Sequence, residues 1–186
     1  MTLKKFRINN KALSTVVTTL IILVVSVLLA TVVTYYAINV TSTRVEEESL
    51  SLRKAHVWVS SSGDDQAAFV IINTGGRDVV IDKITVRGQE ISWSNNVYYA
   101  NTSNAVSNDL SYQSTLNAST KIDTGSENLT LSNATGDLVL PSGYSMIIYI
   151  DDPGSITLQD VGTTVGITVF TAQAQYYKEC NVEAAS

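Results

Sequence analysis

The sequence contains one cysteine, one histidine and little positive charge, and each scarcity removes a class of function. A lone Cys180 cannot form an internal disulfide, so no disulfide framework holds the fold; a packed or idle thiol is expected. A lone His56, without a thiolate cluster, argues against a zinc centre and against a Ser-His-Asp catalytic set. The 12 Lys and Arg are outnumbered by 17 Asp and Glu, and the pI is about 4.7, which excludes a nucleic-acid surface. Four of the bases, Lys4, Lys5, Arg7 and Lys11, crowd into the first 12 residues; without them the net charge is −9.

Charge of either sign is absent from Ala12 to Thr43, a run of 32 residues. Between Val16 and Val33 stand 13 Val, Leu or Ile, with no polar stripe at helical spacing. At about −0.3 to −0.6 kcal/mol each, they contribute about −4 to −8 kcal/mol toward insertion in a bilayer. The pattern predicts a long apolar helix over 13–53, with Leu20, Leu23, Val27 and Leu28 on its driest part and the charged neck "TRVEEESLSLRK" continuing it into water. Bases before the span favour a cytoplasmic amino terminus and place the rest of the chain outside. An ordinary removable signal fits poorly, because cleavage after Ala30 or Ala37 would put Leu28 or Tyr35 where a small residue is needed.

After Lys54 the pattern alternates. "AHVWV", "QAAFVII", "VVIDKITV", "EISWS", "DLVL" and "YSMIIYI" are separated by Gly, Asp and Asn turn clusters. The expected fold class is α+β: the long hydrophobic helix followed by an antiparallel immunoglobulin-like β-sandwich over 54–186. Residues 94–135 differ, with 22 of 42 positions Asn, Ser or Thr and only four charged. They read as a surface insertion that contributes little to a core. Within it "NTS", "NAS", "NLT" and "NAT" make Asn101, Asn117, Asn128 and Asn133 acceptors for N-glycans.

The head "KKFRINNKALSTVV" resembles the class III signal of archaeal type IV pilins, in which a base and a small residue precede the cleaved bond. Lys11, Ala12, Leu13 and Ser14 fill those places, so the resemblance implies a signal peptide of 1–12 and cleavage after Ala12. It also implies an immunoglobulin-like head and a structural role: a subunit that polymerises through its helix into a surface adhesion filament. The partners so implied are other copies of the chain in a helical homo-polymer, a prepilin peptidase, a pilus assembly platform, and the membrane before assembly; no nucleic acid is expected. A membrane-anchored extracellular binding module and an archaellum filament subunit are the alternative readings.

No motif announces catalysis. "NTGG" lacks the Lys-Ser/Thr and helix of a phosphate loop and reads as a turn. Asp64–Asp65 and Asp151–Asp152 could offer oxygen ligands to Ca²⁺, but turn chemistry accounts for them. The chain is therefore read as no enzyme, with no cofactor and no metal.

Overall fold

The computed structural model describes residues 10–45 and 47–185, and for 10–13 and 43–45 the backbone alone. The chain forms two units, divided between Arg44 and Val45.

The first unit is one helix, α1 (Asn10–Val45). Its 36 residues extend about 54 Å at 1.5 Å each. The hydroxyls of Thr18, Thr19, Ser26, Thr31, Thr34 and Thr41 return to the helix's own carbonyls at 2.6–2.9 Å. These side chains thus need no water. The expected end of the helix at 53 moves back to Val45, because "LSLRKAHVWV" is a strand from Leu50 onward. Leu50 is buried and Leu52 half-buried, and both pair with β2, Leu50 opposite Asn73 and Leu52 opposite Ile71.

The second unit contains β1 (Leu50–Val59), β2 (Asp65–Asn73), β3 (Val79–Val86), β4 (Gln89–Glu90), β5 (Val97–Thr102), β6 (Lys121–Asp123), β7 (Asn128–Thr130), β8 (Ser132–Asn133), β9 (Leu138–Leu140), β10 (Ser145–Asp151), β11 (Thr164–Thr171) and β12 (Gln175–Ala184). Hydrogen bonds run without a break along β4-β3-β11-β12-β1-β2-β10-β5-β8, with β9 also on β3; β6 and β7 pair separately. This corrects the expected two-sheet immunoglobulin-like sandwich. The halves that a sandwich would leave unbonded are joined by parallel pairing of β1 and β12, from Val57↔Val182 to Val59↔Ala184. The result is a single curled sheet, a half-barrel. A bulge assists the curl: the β1–β2 register shifts between Arg53 and His56, and Lys54 sits at φ 50°.

Curling brings β3, β9 and β11 around a core shared with β1, β2, β5 and β10. Phe69, Ile71, Ile81, Ile84, Leu140, Met146, Ile148 and Ile167 fill it at 0–1 % exposure. The strands β2 and β10 are buried on both faces, which explains why their sequences are almost continuously apolar. Their second faces, Ala68, Val70, Ile147 and Tyr149, pack under Leu110, Ile122 and Leu131. Residues 103–131 are therefore a cover over a second core, and not the coreless insertion their composition suggested.

Candidate functional site

The candidate site lies where β2 begins and β10 ends. The antiparallel register sets Asp151 opposite Gln66, so both Asp doublets meet at one end of the sheet. The Asp152 N–H donates to the Asp65 carbonyl at 3.0 Å, and Asp152 is held in left-handed backbone at φ 48°. Together with Gly63 and residues 112–116 of the cover, the doublets enclose an open polar cleft of about 490 Å³.

Two amides hold the cover in place over the cleft. Gln113 N–H donates to Gln66 Oε1 at 2.9 Å, and Gln66 Nε2 donates back to the Gln113 carbonyl at 3.2 Å. The buried Tyr149 hydroxyl donates to the Ser111 carbonyl at 3.0 Å, and burial pushes its pKa up to about 12. A second clasp stands beside these. Lys54 Nζ donates to the Ser107 and Asn108 carbonyls at 2.6 Å each, and His56 Nε2 lies 3.0 Å from Asp109 Oδ1. The His56 ring stacks on Trp58 at 5.2 Å, and Trp58 meets the Tyr112 ring edge-on. His56 is thus the half-buried strand residue expected.

The carboxylates of the cleft are unequal. Asp64 is occupied within its turn, its Oδ2 accepting from Ser62 Oγ at 2.5 Å. Asp65 is buried, at 5 % exposure, and its Oδ2 accepts no hydrogen bond. Burial first, and then the charge of Asp152, raise its pKa from 3.8 to about 6. Asp151 is raised as well, by burial and then by Asp152 and Asp64. A cleft lined by these acids, with one carboxylate oxygen unpartnered, can hold a positive group. Among the described residues, no three His, Cys, Asp or Glu side chains converge as a preformed metal cage.

The residues singled out from the sequence fall elsewhere. Lys11, Ala12 and Leu13 lie in the first turn of α1, with side chains outside the described residues, as Lys4, Lys5 and Arg7 are altogether. Ser14 is exposed on the next turn. Leu20, Leu23, Val27 and Leu28 are 57–63 % exposed on α1. Asn101, Asn117 and Asn128 are exposed on the cover and its flanking strand, while Asn133 is half-buried with its Oδ1 sealed. None of the four asparagines lines the cleft. Sequence reasoning noted both Asp doublets but not their meeting. The available signal was one doublet opening an apolar strand and the other closing one, which antiparallel pairing brings together.

No family model matches the chain, and no curated protein does. Among solved structures, a β-glucosidase from Listeria innocua in complex with glucose is similar at 11 % identity and a TM-score of 0.27. The match covers 75 % of this chain, which spans 16 % of that one. At that score the likeness carries no argument about activity.

Two functional expectations are corrected by the structure itself. The resemblance to archaeal type IV pilins needed a two-sheet head, and the continuous curled sheet is not one. The filament-subunit function inferred from that resemblance is not carried further. The reading of the chain as no enzyme is also withdrawn, because a buried carboxyl whose pKa is raised by burial stands in a polar cleft.

Proposed function

We propose that the chain is a membrane-tethered binding domain, in which α1 crosses the bilayer and the curled β-unit offers its acid-lined cleft to a polar ligand outside. One observation carries the tether: Ser14–Ser42 is a 29-residue apolar stretch of helix, none of it buried. It exceeds the roughly 20 residues that a hydrocarbon core of about 30 Å requires. An apolar surface this long has no stable place in water. The intrahelical bonds of its Thr and Ser side chains lower the cost of taking them into lipid. Lys4, Lys5, Arg7 and Lys11 precede the span and Glu46, Glu47 and Glu48 follow it, which favours a cytoplasmic amino terminus. Ligand uptake is supported by the polar wall of the cleft and by the unpartnered Asp65 oxygen.

Orientation is tested on intact cells with a membrane-impermeant amine reagent. Lys121 and Lys178, both exposed on the β-unit, are expected to be labelled without lysis. Labelling only after lysis would reverse the topology.

A further inference from the structure

Asp64, Asp65, Asp151 and Asp152 line the cleft, and among the described residues no Lys, Arg or His does; Gly63, Gln66, Tyr112, Gln113, Ser114, Thr115 and Leu116 complete the wall. Asp64 is satisfied by the turn serine. Asp65 is different, because a carboxylate oxygen sealed from water without a donor bears its full desolvation penalty. The facing group is a second acceptor, the exposed Asp152, whose backbone is pinned to the Asp65 carbonyl at 3.0 Å. Two acceptors in that relation are reconciled by something positive between them.

We propose that Asp65 and Asp152 hold a hard divalent cation, Ca²⁺, between their carboxylates. The donor chemistry selects it. Every candidate ligand is oxygen, which disfavours zinc and copper. The open cleft leaves room for water and for hydroxyls such as those of Ser114 and Thr115, matching the large, flexible coordination sphere of Ca²⁺ better than the tight octahedron of Mg²⁺. With two carboxylates and, among the described residues, no third ionisable ligand converging, the affinity belongs to the weak extracellular class, with Kd of about 0.1–1 mM.

The inference rests on the cleft being the working site of the tethered domain, but its test needs no membrane.

Full-length protein in detergent is melted in EDTA and in 10 mM CaCl₂ or MgCl₂. At pH 7.5, CaCl₂ should raise Tm by about 4 °C or more, with a smaller shift in MgCl₂. Asp65→Asn should abolish the shift while melting higher than the parent in EDTA, because its amide removes the buried charge. Asp152→Asn, at an exposed position, should abolish the shift even if the first variant folds poorly. The exposed Asp82→Asn on β3 should respond like the parent. No shift with CaCl₂ at pH 7.5, an equal shift with MgCl₂, or a full shift in both Asp65→Asn and Asp152→Asn overturns the proposal. Any of these would leave the membrane tether standing.

Discussion

Gln66, 2 % exposed on β2, and Gln113, on the polar cover, exchange two hydrogen bonds at 2.9 and 3.2 Å. This reciprocal pair fastens a segment that is nearly half Asn, Ser and Thr over the Ala68, Val70, Ile147 and Tyr149 face of the sheet. It also fixes the wall of the cleft, since residues 112–116 follow from where Gln113 is held. Gln66→Ala should cost about 1–3 kcal/mol, because it removes both bonds and leaves the Gln113 N–H half-buried without its acceptor. Hydrogen exchange should rise across 107–116 and stay unchanged in β3 and β11. Uniform exchange across the unit would show that the cover is not fastened there.

Asp65 gives the unit a distinctive pH dependence. Its folded pKa of about 6 lies above its ordinary 3.8, so the folded state keeps a proton that the unfolded chain has lost. The stabilisation is fully present below pH 3.8 and disappears as pH rises through about 6. Asp109 and Asp160, whose pKa values are lowered, act in the opposite direction, so the comparison must be with Asp65→Asn. In EDTA, urea unfolding should show the variant more stable than the parent by about 1–2 kcal/mol at pH 7.5. The two should converge toward pH 4.

Two glycines, Gly75 in the turn after β2 and Gly166 within β11, should respond differently to a methyl group. A Cβ on Gly75 would lie 2.6 Å from the Glu47 carbonyl oxygen and 2.8 Å from the Ser49 nitrogen, both backbone. A Cβ on Gly166 would run into the ring of Tyr177, which is 60 % exposed and can swing aside. Thermal melts should show Gly75→Ala costing about 2 kcal/mol or more and Gly166→Ala about 1 kcal/mol or less.

Decoration of the cover follows the placement of its four sequons. With the unit outside the cell, intact-mass analysis of native protein should show glycans on at least two of Asn101, Asn117, Asn128 and Asn133. Asn133 should be the least occupied, because its side-chain oxygen is sealed beside the β5–β8 pairing. A bare-chain mass would remove glycans from the account.

The helix was legible because 32 consecutive uncharged residues leave few other structures possible, and the cores of β2, β3 and β10 were legible as apolar runs between turns. The curl was not. It depends on Val57 meeting Val182, a pairing 125 positions apart that leaves no local pattern. The cover was hidden by averaging: Leu110, Ile122 and Leu131 are few among 103–131, yet each is buried at 1–6 % exposure. The cleft combined both difficulties. Its Asp doublets read as turn residues one at a time, and only the β2–β10 register turns them into a facing pair.

The central claim is that α1 holds the chain in a bilayer, and alkaline carbonate extraction of membranes from cells expressing the full chain tests it most directly. The account predicts that the protein stays with the membrane pellet. It also predicts that Leu23→Asp combined with Val27→Lys, each costing about 2.5–3.5 kcal/mol at the centre of a span, releases it with the β-unit still folded. Recovery of the parent chain in the supernatant, or retention of the doubly charged variant in the pellet, would contradict it.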